Sequence, residues 1–348
     1  MKYPEIIAEI GVNYYDIAKE MEVPLVTAAK QMVASCKKVG VNIVKFQTYK
    51  AEKLAANNST AYWDLSEEPT RSQREFFSKY DKLTESDYVD IAAYCSQIDV
   101  EFMSTPFDNE SAKIINRLVS RHKIASADIT NFPLIEKIAG FKKPIFLSVG
   151  ASTMEEIEEA VSFIYASGCP KLTLLHCVLS YPTAFEDANL WKIKILAKRF
   201  PDCVIGYSDH TKFSTDVLVS AWILGANVIE KHFTLNKELK GNDHYHAADC
   251  EDLKTFISKI KFLQKIYGNE TINWSLPCEE RAVRNARRGV YLRHYVKKDG
   301  KISLAQFDFL RPQLDGINPK ELMDYIDNGA VFAHDINNGK MITKKDLQ

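Results

Sequence analysis

The 348-residue sequence is 46% hydrophobic and 26% charged, proportions that suit a globular protein with a large core and, by length, about two domains. Its 45 basic and 46 acidic residues leave a formal net charge of −1, which argues against a dedicated nucleic-acid or membrane-surface binder. The opening MKYPEIIAEIGV is too short in its apolar run for a secretion signal, and no stretch approaches the roughly 18 apolar residues of a membrane span. Seven cysteines form no CxxC and read as small buried hydrophobes with reduced thiols, so a soluble, cytoplasmic protein is expected.

Short β-branched runs recur along the chain, each followed by an amphipathic stretch. In order, EIIAEIG (5–11), NIVKFQT (42–48), VEFMST (100–105), HKIAS (122–126), PIFLSVG (144–150), LTLLHC (172–177), CVIGYS (203–208) and NVIEKHF (227–233) read as strands. They are too apolar to be half-exposed, as expected of parallel strands covered by helices. The connection from Tyr49 to about Leu83 is longer than a plain loop and carries Tyr62, Trp63 and EEPTRSQREFF, so it reads as a lid or substrate-side excursion. Thr153 and Glu156 predict a capping box ahead of a helix whose face is Ile157, Ala160, Val161 and Ile164. Leu253, Phe256, Ile257, Ile260 and Leu263 repeat the pattern, with Gly268 as a stop.

Strands alternating with helices over roughly 265 residues predict a (β/α)8 TIM barrel. The competing doubly wound sheet loses its usual cofactor signal, because no GxGxxG follows the first strand. Beyond Cys278 a basic cluster leads into short segments separated by Gly-containing turns. This reads as a small β-rich domain of about 65 residues, too small to be very stable alone. The expected division is a barrel over 1–275 and a small domain over 284–348.

Each predicted strand ends in a polar residue that a purely structural strand would not need. These are Glu9, Lys45 with Gln47, Thr105, Ser126 with Asp128, Ser148, His176 with Tyr181, Ser208 with His210, and Glu230 with His232. In a barrel such ends converge on the face that carries active sites. A single Ser or Thr there serves equally well as a helix cap, but a lysine, three acids and three histidines together do not. His210 and His232, one residue or so past adjacent strands, suit a divalent metal that polarises a substrate oxygen. His122, His294 and His334 read as ordinary structural or surface histidines, and His176 could point into the barrel or out. His244 and His246, in the loop GNDHYHAAD, read as pocket-lining or solvent-exposed.

Lys45 is a strand lysine, rarely buried without an anionic partner. With Thr105, Ser126, Ser148 and Ser208 it makes one positive charge among several hydroxyls, which suits phosphate or carboxylate. A Schiff-base lysine is the rival reading, disfavoured by the hydroxyls. Glu230, two residues before His232, shares its strand face and is a candidate acid or base; Glu9 is the second.

IAEIGVN, IVKFQT, EFMSTPFD, HKIASADITNFPLI, KPIFLSVGAST, LLHCVLSYPT, IGYSDHT and VIEKHFTL together resemble the successive barrel motifs of the sialic acid synthases. RRGVYL, LRP and DINNGKMITKKDL resemble the antifreeze-like (SAF) domain that follows the barrel in that family. The resemblance covers nearly the whole chain, in order. It implies condensation of phosphoenolpyruvate with an N-acylated hexosamine, typically N-acetylmannosamine, with a divalent metal: manganese first, magnesium or cobalt otherwise. By motif, Lys45, Thr105, Ser126, Ser148 and Ser208 correspond to the phosphoenolpyruvate-binding set, and His210 and His232 to the metal ligands. Gln47, Phe107, Tyr181 and Asp243 fall where the family contacts the sugar. Arg311, in the LRP motif, resembles an arginine donated across a domain-swapped homodimer. Glu9, Glu230, Lys45 and Asp128 complete the implied catalytic set.

Several positions depart from the family pattern. Asp128 stands where Glu is usual, Leu179 where Asn or Ser precedes the tyrosine, and Asn13-Tyr14 where Asn-His is common; Asp243-His244 is not followed by Ser-Leu-Glu. These changes fall mostly on the sugar side, so a diacetamido-trideoxyhexose acceptor is also expected to fit. The rivals are a synthase of another 3-deoxy-ulosonic acid from a phosphorylated aldose, and a non-catalytic sugar- or phosphoenolpyruvate-binding homologue.

Overall fold

A computed structural model describes residues 2–241, 243–268 and 275–348. Eight parallel strands form one sheet: β1 (Glu5–Gly11), β2 (Ile43–Thr48), β3 (Glu101–Pro106), β4 (His122–Ile124), β5 (Ile145–Ser148), β6 (Leu172–Cys177), β7 (Val204–Asp209) and β8 (Val228–His232). Their order, β3-β2-β1-β8-β7-β6-β5-β4, curls until β4 lies alongside β3, which makes the expected (β/α)8 barrel. All eight predicted strands are present, within two residues at most ends.

The helices form for the reasons their sequences suggest. In Leu25–Val39, Ala28, Ala29, Met32, Val33 and Cys36 lie on one buried face, and Gly40, at φ 95°, ends the helix in a conformation that penalises a Cβ. Thr153 and Glu156 make the predicted capping box of Met154–Ala166. Helix Cys250–Tyr267 starts with a second box, Asp249 with Asp252, and Gly268 follows it at φ 68°.

Two layers fill the barrel axis. Ile7, Ile43, Met103, Phe146, Leu175 and Val228 form an apolar floor. At Gly206 a Cβ would come within 2.5 Å of Leu175 Cδ2 and 2.7 Å of Val228 O, so the floor packs too tightly there for any side chain. One pleat further along, Glu9, Lys45, Thr105 and Glu230 replace the apolar residues and stay buried. Period-two alternation thus turns an apolar floor into a polar one toward the C-terminal strand ends.

The excursion after β2 holds two short helices, Ala51–Leu54 and Gln73–Tyr80, and a bridge between Thr60 and Ser72. Trp63, Phe76 and Tyr80 give it a small core with Val12 and Tyr49. Glu68 is buried at its centre and accepts hydrogen bonds from Thr70 N and Lys79 Nζ.

The chain divides after Gly268 into two compact units. In the second, β9 (Gly289–Leu292) pairs antiparallel with β10 (Phe307–Leu310), and four isolated bridges extend the pattern. Helix Pro319–Asp327, capped by Asn318 and Glu321, places Leu322 in a core with Val290, Phe307, Phe332 and Ile342. All seven cysteines are free, and Cys36, Cys95, Cys169 and Cys177 are buried. Among the described residues, no helix is long and apolar enough to cross a membrane.

Candidate active site

At the C-terminal ends of the barrel strands lies a cavity of about 370 Å³. It is lined by Glu9, Lys45, Gln47, Thr105, Phe107, Ser126, Asp128, Ser148, Tyr181, Ser208, His210, Glu230, His232 and Asp243. The barrel therefore gathers every site residue expected on it, from stretches more than 230 positions apart. Arg311 is exposed and lies just past β10, on the second unit.

The centre of the site is an ion-pair cluster. Register places Glu9 beside Lys45 on one side and His232 on the other, and Ser208 beside Glu230. Lys45 Nζ lies 2.6 Å from Glu9 Oε2 and 3.7 Å from Glu230 Oε1, and donates to Thr105 Oγ1 at 3.2 Å. Gln47 Nε2 donates to Glu9 Oε1 at 3.1 Å, and Ser208 Oγ to Glu230 Oε1 at 2.9 Å. Two carboxylates around one ammonium do not ionise alike. Burial and then Glu230 push Glu9 up against the pull of Lys45. For Glu230 burial acts upward too, but Lys45, Lys123 and the Ser208 hydroxyl bring it below its ordinary value. Glu230 is the better ionised base of the two, and Glu9 the better proton carrier.

In and around this cluster stand polar groups with spare capacity. Ser148 Oγ and Glu230 Oε2 are buried without hydrogen-bond partners, a costly state unless a ligand completes them. Ser126 Oγ accepts from Gly150 N at 2.8 Å, which leaves its hydroxyl proton to give. Lys123, between His122 and Ile124 on β4, is buried and lines the same cavity. It was not among the expected site residues, although it obeys the rule that singles out Lys45: a lysine inside an apolar strand. Its amine donates to Ile124 O at 3.2 Å, and burial lowers its pKa.

The second cluster is imidazole-rich. The rings of His210 and His232 are 5.5 Å apart, those of His232 and His246 4.9 Å, and Tyr181 packs on His210 at 4.2 Å. His210 Nδ1 is 2.7 Å from Val178 O; with that proton donated to the carbonyl, Nε2 keeps a free lone pair, the usual arrangement of a metal-ligating histidine. His232, Asp243 and His246 bring one ligand atom each within 4.8 Å of one another. Burial holds His210 down to about 4 and His232 well below the histidine range, so both are neutral donors. This donor set fits a divalent transition ion.

The structure corrects one expectation and decides another. His244 and His246 are not exposed: both are buried, and His246 joins His232 rather than merely lining the pocket. Their loop folds inward because Asn13 Nδ2 donates to Phe233 O and Asp243 O, while His244 Nδ1 pairs with Thr234 Oγ1 at 2.8 Å. His176, left open between two directions, points outward, stacked on Tyr207 and 2.8 Å from Ala188 O.

Asp128 and Leu179, the departures noted above, both line the cavity. Asp128 accepts from Asn131 Nδ2 at 3.0 Å, and burial raises its pKa. The excursion after β2 also reaches the cavity, with Leu54, Tyr62, Trp63, Gln73, Phe76 and Phe77, as its length implied. The Trp63 indole N–H is already donated to Glu68 O and Thr70 O, each at 3.2 Å, so this wall presents mainly apolar ring.

Asp243 gives a pH prediction. Burial and then Glu9 push its carboxyl from 3.8 up to about 7. Between those values the folded chain holds a proton that the unfolded chain has lost, so this group's contribution to stability falls as pH rises through the window. For chelator-treated protein, the denaturation midpoint of the parent, taken relative to that of Asp243→Asn, should drop between about pH 4 and about pH 7, while the buried His210 and His232 act in the opposite direction in both chains. A difference between the two chains that does not change with pH would contradict the assignment.

Comparison with known proteins agrees with this geometry. The NeuB family profile matches residues 32–271. The N,N'-diacetyllegionaminic acid synthase of Legionella pneumophila is 34% identical over 330 residues, covering 92% of this chain and 88% of that protein. The N-acetylneuraminate-9-phosphate synthase of Drosophila melanogaster is 28% identical over 344 residues, covering 92% and 90%. Among solved structures, the N-acetylneuraminic acid (sialic acid) synthetase of Leptospira borgpetersenii, in complex with citrate, superposes with a TM-score of 0.69 at 28% identity, over 81% of this chain and 90% of that one.

Proposed function

Since the chain belongs to the NeuB family, we propose that it condenses phosphoenolpyruvate with an N-acylated hexosamine, giving a sialic-acid-like nonulosonic acid and phosphate. The observation that carries this reading is Lys45, buried between two carboxylates in the same cavity as neutral His210 and His232. The lysine suits an anion, and the histidines would hold a metal that polarises a carbonyl.

Lys45 and Lys123, with the hydroxyls of Thr105, Ser126, Ser148 and Ser208, bind the phosphate and carboxylate of phosphoenolpyruvate and hold C3 toward the acceptor. His210 and His232, the latter grouped with Asp243 and His246, would hold a divalent ion, which would supply Lewis acidity toward the acceptor's aldehyde oxygen. C3 bonds to the aldehyde carbon, whose oxygen takes up a proton, and positive charge develops at C2. Glu230, the ionised carboxylate, accepts a proton from the water that adds there, while Glu9 holds or relays the proton exchanged with Lys45. Phosphate then leaves by cleavage of the C2–O bond, taking the proton of the C2 hydroxyl, which becomes the keto oxygen. Gln47, Phe107, Tyr181 and Asp243 flank the acceptor. Manganese is the ion proposed, with magnesium and cobalt as substitutes.

The acceptor favoured is a diacetamido-trideoxyhexose. Leu179 and the Tyr62, Trp63, Phe76, Phe77 wall offer apolar contact to a deoxy carbon and acyl methyls, and little to hydroxyls. Among the described residues, Lys45 and Lys123 are the only lysines lining the cavity and no arginine lines it, so a phosphorylated aldose finds no third cation among them. A non-catalytic homologue, by contrast, would gain stability from phosphoenolpyruvate without turning it over. Incubation with phosphoenolpyruvate, Mn2+ and a panel of hexosamines separates these readings. The expected product is a nine-carbon acid formed from the diacetamido sugar; phosphate release from no member of the panel would overturn the proposal.

The reading extends to a homodimer in which Arg311 of a second copy serves the acceptor end, supported by the resemblance at Leu310-Arg311-Pro312. Arg311→Ala and Lys45→Met chains, each inactive alone, should regain activity when unfolded and refolded together, because mixed dimers hold one complete site. Failure of the mixture to regain activity, with dimers formed, would contradict delivery between copies.

A further inference from the structure

β7 and β8 each carry a charged residue immediately before the proposed metal histidine. Asp209 and Lys231 pair across the ladder with side chains 0% exposed, and Lys231 Nζ lies 2.7 Å from Asp209 Oδ2. Alternation puts them on the helix-facing side of the sheet: Ser208 and Glu230 meet inside the barrel, while Tyr207 and Ile229 join the outer core. Neither lines the cavity.

The pair is fully hydrogen-bonded. Asp209 Oδ1 accepts from Tyr207 OH at 2.8 Å and from Thr211 N at 3.0 Å, and Lys231 Nζ donates to Thr211 O. The ion pair itself is a weak source of stability, beyond the partners it gives Tyr207 OH and the Thr211 backbone. Exchanging a buried ion pair for apolar residues of similar volume is often neutral or stabilising, because two charges must be stripped of water. Its connections suggest another role. Asp209 precedes His210 and Thr211 follows it, and both are tied to Lys231, which precedes His232. The backbone on either side of one histidine is thereby fastened to the neighbour of the other.

We propose that Asp209 and Lys231 are positioning residues that set the separation of His210 and His232, and through it the affinity of the site for a divalent metal. The inference rests on the metal-binding reading of those histidines. A slack β7–β8 junction would still fold, but its imidazoles would spread over a range of separations, of which few suit one ion.

The test uses the full chain, stripped of metal, and the volume-matched double variant Asp209→Leu/Lys231→Met. Mn2+ binding is read from the spin-resonance signal of the free ion, and folding from thermal denaturation. The double variant should melt earlier, because Tyr207 OH and the Thr211 backbone lose their partners, and at a temperature where it is folded it should bind Mn2+ about 10–100-fold more weakly, the usual cost of disturbing groups behind a metal's ligands. Asp209→Asn keeps the size and the contacts to Tyr207 and Thr211 but removes the charge, and should weaken Mn2+ in the same direction. Parent-like Mn2+ affinity in the double variant, or in Asp209→Asn if the double variant does not fold, would overturn the inference. A parent chain that takes up no Mn2+ would instead refute the metal reading, and the inference with it.

Discussion

Lys45→Met is expected to reduce acceptor-dependent phosphate release about 10³-fold, the scale on which a preorganised donor at developing charge acts. Methionine keeps much of the length of the side chain but removes the ammonium, and two effects follow. The phosphate and carboxylate of phosphoenolpyruvate lose their central cation. Glu9 and Glu230, now without the charge between them, cannot both ionise in a buried site, so the division between proton carrier and base collapses. Removing one member of such a cluster also costs about 3–5 kcal/mol of stability. Steady-state rates therefore need to be read beside denaturation curves, at a temperature where the variant is folded. A folded Lys45→Met chain with parental turnover would exclude Lys45 from the reaction.

His210→Ala should abolish turnover and weaken Mn2+ binding by at least about 100-fold, because it removes a ligand rather than a group behind one. The control is His176→Gln. His176 sits on β6, beside the strand that precedes His210, but it faces the helices and bonds to Ala188 O. That variant should leave Mn2+ affinity unchanged even if it melts earlier. Equal loss of Mn2+ in both variants would point to general damage to the barrel wall, and retention in His210→Ala would sink the ligand assignment. Chelation of the parent enzyme should reproduce the His210→Ala phenotype, with recovery on adding Mn2+ back.

The barrel was readable because its strands are buried on both faces. Apolar runs such as LTLLHC and NVIEKHF have little ambiguity once each is followed by a helix of 3.6 period. The strand residues that line the cavity were readable for the same reason: a Lys, Glu or His at the end of such a run has to face the barrel mouth or find a partner. Lys123 slipped through because β4 is only three residues long, too short for alternation to show which of His122, Lys123 and Ile124 points inward. His176 is the same problem on a longer strand, and its neighbour Leu175 in the barrel floor resolves it. His246 could not be placed from sequence, since its loop has no period. It is Asn13 and Thr234, distant or out of phase in the chain, that draw the loop inward. The Asp209–Lys231 pair was equally invisible, because a charge before each histidine reads as solvated until the strands are laid side by side.

Phosphoenolpyruvate labelled with oxygen-18 at the oxygen bridging C2 and phosphorus joins these elements in one mass measurement. With Mn2+ and the diacetamido acceptor, the released phosphate should carry the label, and the label should be absent from the nine-carbon acid. Its appearance should slow about 10³-fold in Lys45→Met and cease in His210→Ala. Labelled phosphate released equally well without acceptor, or label retained in the organic product, would contradict a site built to join C3 to an aldehyde and expel phosphate from C2.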